Sequence, residues 1–162
     1  MILGLSTGAF TGVHVTISLL AMASGLVAVG GLVRDRLYGT WTAVFLATTI
    51  ATSVTGFLFH SKTIGPPHIV GALSLVILAL AVFALYGRQL YGAWRPIYIA
   101  CTVVALYLNV FVGVVQAFQK IPPLHGLAPN GSEPPFVAAQ LVVLVAFIAL
   151  GVLAFRRAHD IA

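Results

Sequence analysis

Apolar residues fall into five blocks along the chain, at about 8–33, 40–60, 67–87, 96–119 and 135–155. The polar breaks between them are sharp. Arg34, Asp35 and Arg36 end the first block. Ser61 and Lys62, with Gly65, Pro66 and Pro67, separate the second from the third. A segment from Arg88 to Arg95 separates the third from the fourth, and a proline-rich stretch, 121–135, separates the fourth from the fifth. At 1.5 Å per residue each block is long enough for a bilayer core of about 30 Å. The pattern predicts an all-α integral membrane bundle of five transmembrane helices, forming one domain over 1–162.

Composition agrees. The chain is 60% hydrophobic and only 7% charged, and its mean hydropathy is +1.10. Soluble domains carry about 25% charged residues, so this chain has too little polar surface to cover a globule. A soluble enzyme, a nucleic-acid binder and a disordered chain are excluded. The net charge of +5 therefore reads as a topology signal. Arg34, Arg36, Arg88, Arg95, Arg156 and Arg157 fall at one set of block ends, and Lys62 and Lys120 at the other. That asymmetry predicts N-terminus out and C-terminus in. Trp41 and Trp94 fall on the inner side, as an interfacial belt requires. The first block has no basic flank and no small-residue cleavage site, so it reads as a retained span. Cys101 is the single cysteine, which rules out an internal disulfide.

The chain also repeats itself. His14 precedes Arg34 by the same interval as His68 precedes Arg88, and Leu-Tyr-Gly-x-Trp follows each arginine, at 37–41 and 90–94. Gly56 before Lys62 matches Gly113 before Lys120 with a one-residue slip. Spans 1–2 and 3–4 read as parallel copies of one hairpin, related by a pseudo-two-fold axis along the membrane normal, with the fifth span added.

No Asp, Glu, Lys or Arg lies inside a span. Intramembrane proton relays, retinal attachment and voltage sensing all need such groups. What remains is histidine, amide and hydroxyl. His14, His60, His68 and His125 belong to the outer half, whereas His159 is inner. Asn109, Gly113, Gln116 and Lys120 form a stripe on the fourth span, and Gln140 sits on the fifth. Helix packing explains small residues at such spacing, but a buried imidazole needs a partner. His14 is about 7 Å below the outer boundary at 1.5 Å per residue.

Three chemistries fit. Two facing imidazoles at equal depth suit the axial positions of a haem b, with His14 and His68 as its ligands and Gln116, Gln140 and Asn109 as polar support. Alternatively, His60 and His125 join them around Zn or Cu. Without any cofactor, the protein is an accessory or structural membrane subunit, or a passage for a neutral small solute. The redox reading implies electron exchange with membrane quinol or a periplasmic redox protein. All three allow a homo-oligomer or a place in a larger complex, in contact with the lipid bilayer.

The segment 107–120, with Asn109, Gly113, Gln116 and Lys120, together with 132–136, Val13-His14-Val15 and His68-Ile69-Val70-Gly71, resembles a group of small uncharacterised inner-membrane proteins of proteobacteria. The resemblance covers nearly the whole chain. It implies a bacterial inner-membrane location and no particular activity. The architecture is also similar, by analogy, to small di-histidine b-type membrane cytochromes, although a second histidine pair is lacking.

Overall fold

The computed structural model describes residues 2, 4–59 and 65–159. The elements are α1 (Thr7–Val33), α2 (Gly39–Phe57), α3 (Pro66–Val82, continued by a π-turn, Phe83–Gly87), α4 (Trp94–Lys120), the short α5 (Pro122–Leu127) and α6 (Pro134–His159). No strand is present among the described residues.

Each boundary has a local cause. The Ser6 hydroxyl caps α1 by accepting from the Ala9 amide at 3.2 Å. The chain leaves α1 in a tight turn in which the Arg34 and Arg36 amides both donate to the Gly31 carbonyl. Gly31 is required there, because a Cβ would lie 2.6 Å from the Arg36 carbonyl oxygen. Asp35, next after the Arg34 cap, has a φ of 54°, and Gln89, next after the Arg88 cap of the π-turn, has a φ of 50°. α4 starts at Trp94, earlier than the sequence pattern predicts, since Pro96 in the first turn gives up no helical hydrogen bond. The connector 121–135 is also not plain strap: its prolines start the single-turn-and-a-half helix α5.

Four helices are long and apolar enough to cross a membrane: Thr7–Val33, Pro66–Gly87, Trp94–Lys120 and Pro134–Ala158. They suggest a multi-pass membrane protein in contact with lipid. The outward faces agree, with Ile69, Val76, Val142 and Val145 each more than 60% exposed. Continuous apolar surface of that kind is a liability in water and a match for acyl chains. α2 falls short of the other four in hydropathy because it carries six threonines, at 40, 42, 48, 49, 52 and 55. Two are satisfied locally: the Thr48 and Thr55 hydroxyls donate to the carbonyls of Val44 and Ala51.

α1, α2, α3 and α4 pack in a ring, each against the next and α4 back against α1; α6 lies outside, against α4 and α1. The dense core occupies the middle of this ring and its arginine-bearing end. Phe45, Leu46, Leu78 and Leu106 are at most 3% exposed, and Tyr98 is buried below them. At Gly25 the packing is closest, since a Cβ there would meet Leu106 and Phe45 at 2.5 and 2.7 Å. The opposite half, where α1 and α3 begin and α2 and α4 end, is packed differently.

Candidate functional site

In that half the four helices enclose a cavity of about 740 Å³. Known small-molecule sites run from roughly 300 to 1,000 Å³. The helical repeat explains why it is open. On α4, Asn109, Gly113, Gln116 and Lys120 fall on one face at spacings of three and four, and all line the cavity. Gly56 of α2 and Gly71 of α3 add no side chain to it. Toward the arginine-bearing end the space is filled by the buried Phe45, Leu46, Leu78 and Leu106 core, so among the described residues the cavity is a blind pocket rather than a channel.

His14 and His68 both line this space. His14 Nδ1 lies 2.7 Å from Thr55 Oγ1. The same hydroxyl lies 2.7 Å from the Ala51 carbonyl, which can only accept, so its one hydrogen is needed there. Thr55 must therefore accept, and His14 Nδ1 carries the hydrogen and donates. That leaves His14 Nε2 with a free lone pair. The ring rests over Gly56, whose added Cβ would be 3.8 Å from His14 Cε1, and edge-on to Phe59 at 5.2 Å.

His68 is held the opposite way. Its Nδ1 accepts the Gly65 backbone N–H at 3.2 Å, at the start of α3. With Nδ1 accepting, the neutral ring carries its hydrogen on Nε2. Phe57 packs beside it, with ring centroids 5.8 Å apart. The two imidazoles thus offer a ligand unlike edges, an acceptor at His14 and a donor at His68.

Asn109, deepest of the amide pair, donates to the buried Thr49 hydroxyl at 3.1 Å, tying α4 to α2 across the bundle. Ser18 bonds back to the His14 carbonyl at 2.8 Å. Gln116, Ser53 and Ser74 line the cavity with side chains that make no hydrogen bond among the described residues. Among the described residues Lys120 is the single charged residue of the lining, and no carboxylate lies there to match it.

The other residues that the sequence singles out lie elsewhere. Gln140 donates to the Phe111 carbonyl at 3.2 Å across the α4–α6 contact, away from the histidines. In this position it ties α6 to α4 and is not part of the cavity lining. His125 is exposed on α5 and is not part of the lining. His60 and Lys62 lie outside the described residues. Among the described residues no three His, Cys, Asp or Glu side chains come together as a metal site. Among the described residues the one acidic group near this end, Glu133, is committed to its own loop, accepting from the Asn130 amide and side chain and from the Ser132 amide.

Thr55, Ser74, Phe57 and Phe59 are site residues that the sequence pattern does not single out. Thr55 had a visible signal, because it continues Thr52 at helical spacing one step from Gly56. Ser74 continues His68 and Gly71 in the same way. No known protein family, curated protein or solved structure matches the chain.

Proposed function

We propose that this is a membrane-embedded binding protein whose functional site is the blind cavity, and that the cavity takes one small amphipathic molecule with its polar head at His14 and His68. The observation that carries this reading is that both histidines line a single 740 Å³ space while the core beneath it is closed. The closed end favours binding over the passage of a neutral solute. The apolar remainder of the lining, including Val15, Leu19, Met22 and Leu108, suits the hydrocarbon part of such a molecule.

In this reading α2 is the fifth span. Its 19 residues extend about 28 Å at 1.5 Å per residue, and its threonines face neighbours or return their protons to the helix. The orientation is N-out and C-in in a bacterial inner membrane, following the arginine asymmetry. The α1–α2 and α3–α4 hairpins are parallel copies. The shared left-handed residue after Arg34 and Arg88 supports that copying. The resemblance of segments 107–120 and 132–136 to the uncharacterised inner-membrane group supports that location.

A b-type haem is the second reading, and one observation favours it. His14 donates from Nδ1 to Thr55 and keeps its Nε2 lone pair, the arrangement of a metal-ligating histidine with a supporting partner. His68 would have to release the Gly65 amide before its own Nε2 could ligate. A bis-histidine haem therefore costs a helix cap, whereas the binding reading keeps it.

One purification separates the readings. The full chain is isolated in detergent without added ligand, its absorption spectrum is recorded, and its organic extract is analysed by mass spectrometry. A co-purifying lipid-soluble molecule lost in both His14→Ala and His68→Ala, with no Soret band, is the expected result. A Soret band that disappears in His14→Ala establishes haem instead. An extract and spectrum free of both, unchanged in the two variants, leaves the accessory-subunit reading.

A further inference from the structure

The opposite engagement of the two imidazoles points to the chemistry of the head group; this step rests on reading the cavity as a ligand site. Among the described residues, each ring has its Nδ1 occupied within the protein, His14 by Thr55 and His68 by Gly65. Only the Nε2 edges are left for a ligand, one accepting and one donating. A head that only accepts hydrogen bonds satisfies His68 and sets its lone pairs against those of His14. A head that only donates does the reverse. A hydroxyl does both, and two hydroxyls on one ring serve both histidines.

We propose that the head is a dihydroxy aromatic ring of the quinol class, one hydroxyl donating to His14 Nε2 and the other accepting from the His68 Nε2–H, and that the site discriminates against the oxidised dicarbonyl form. Flat aromatic surroundings support a ring. Phe59 stands edge-on to His14, Phe57 is tilted against His68, and Gly56 leaves the His14 ring face uncovered by any side chain of its own. The apolar lining beyond the rings takes the tail. Val15 and Leu19 are shared between the lining and the outer face of α1, where they are 42% and 58% exposed, so that the cavity wall borders lipid. A carboxylate-headed lipid fits less well, because Lys120 at the mouth attracts it but His14 repels it.

The mismatch in the oxidised form leaves a buried acceptor facing an acceptor, a penalty worth at least about tenfold in affinity. By linkage, tighter binding of the reduced form raises the midpoint potential of the bound couple, by about 30 mV per tenfold for two electrons. The test uses the full chain in lipid nanodiscs under anaerobic conditions, with a decyl-substituted benzoquinol and the matching benzoquinone as probes, measured by equilibrium dialysis. The quinol is expected to bind at least ~10-fold more tightly. His14→Leu should erase the preference by weakening the quinol alone, and His68→Leu should weaken both forms. Equal affinities, a tighter quinone, or no binding of either probe overturns the assignment. The measurement on the unaltered protein decides this without any variant. Ser53→Phe, which fills the cavity, separates the two levels of the argument. If it blocks both probes while they bind the unaltered protein equally, the cavity stands as a ligand site and the quinol assignment falls. If it blocks neither, the cavity itself is ruled out as the site.

Discussion

His14 Nδ1 and the Ala51 carbonyl both lie 2.7 Å from Thr55 Oγ1, and because the carbonyl can only accept, the hydroxyl donates to it and accepts from His14. A hydroxyl on one helix thereby fixes the tautomer of an imidazole on another. It also determines which edge of that imidazole the cavity sees. Everything proposed for the site depends on this relay more than on any property of the histidine alone.

Replacing Thr55 by valine removes the acceptor at nearly constant volume. The stability cost should be small, about 0.5–1 kcal/mol, as for other hydrogen bonds between membrane helices. The effect on the site should be larger, because the His14 ring loses the partner that sets its tautomer. Nitrogen NMR of labelled histidine should show a protonated Nδ1 at His14 in the unaltered protein and in Thr55→Ser, and a mixture of tautomers in Thr55→Val. Any molecule that co-purifies should be retained by the serine variant and depleted in the valine one. An unchanged nitrogen spectrum in Thr55→Val means that the threonine does not govern the ring.

Two glycines of the bundle should respond differently to the same substitution. A Cβ at Gly25 would sit 2.5 Å from Leu106 Cδ1 and 2.7 Å from the Phe45 ring, both fully buried. Neither has room to withdraw, so Gly25→Ala should destabilise by about 1–3 kcal/mol through overpacking. At Gly113 the nearest atom is Met22 Sδ at 3.2 Å, at the edge of the cavity. Methionine is flexible and has open space beside it. Gly113→Ala should therefore leave thermal stability within about 0.5 kcal/mol, the range of unremarkable substitutions. Unfolding of both variants in one detergent checks the ordering, and equal losses would show that the core and the cavity wall are equally rigid.

The helical blocks were legible because membrane burial imposes one simple rule, long apolar runs with charged ends. His14, His68, Asn109 and Gln116 were legible as polar exceptions within those runs, and the structure gathers all four around one cavity. Gln140 obeys the same sequence rule but points to the α4–α6 contact, since the rule reports polarity and not the direction a helix faces. Thr55 was legible only in part: its helical spacing from Thr52 shows, but its partner does not. The threonines of α2 look alike in sequence, and only the crossing of α1 over α2 selects the one that meets His14. The closed core was hidden, because Phe45, Leu78 and Leu106 are ordinary members of apolar runs whose packing depends on Gly25.

The loop before α6 should be sensitive to acid. Glu133 accepts from the backbone amide of Asn130, and further from the Ser132 amide and the Asn130 side chain, which together lower its pKa from the usual 4.5 to about 2. A carboxylate with a depressed native pKa contributes order above the unfolded value and loses it as pH falls through the native one. Measured against the intrinsic exchange rate at each pH, the amides of Asn130 and Ser132 should be protected at pH 5, still largely protected near pH 3, and lose that protection as the pH falls through about 2. Glu133→Ala should show no such protection at any pH. Because the carboxylate is fully exposed, the change should stay within the loop and leave the unfolding temperature of the bundle unaltered.

Asp35 performs two tasks, and substitution can separate them. Its carboxylate pairs with Arg95 at the start of α4, and its backbone takes the left-handed turn that carries α1 into α2, at a φ of 54°. The side chains of Arg95 and Asp35 are 37% and 23% exposed, so water and salt screen the pair, and its worth should be about 0.2–1 kcal/mol. Asp35→Asn should keep the turn, since asparagine tolerates left-handed backbone, and lose only the charge. Asp35→Gly should do the same by relieving the backbone entirely. Asp35→Ala loses the charge and adds a left-handed cost of about 1–2 kcal/mol. The expected order of stability is therefore the unaltered protein, then the asparagine and glycine variants together, then the alanine variant. Raising the salt to about 1 M, where the screening length is about 3 Å, should close the gap between aspartate and asparagine but not that between asparagine and alanine. If alanine is no worse than asparagine at either salt concentration, the turn carries no backbone strain. If the aspartate–asparagine gap survives in salt, the pair is more sheltered than its exposure implies.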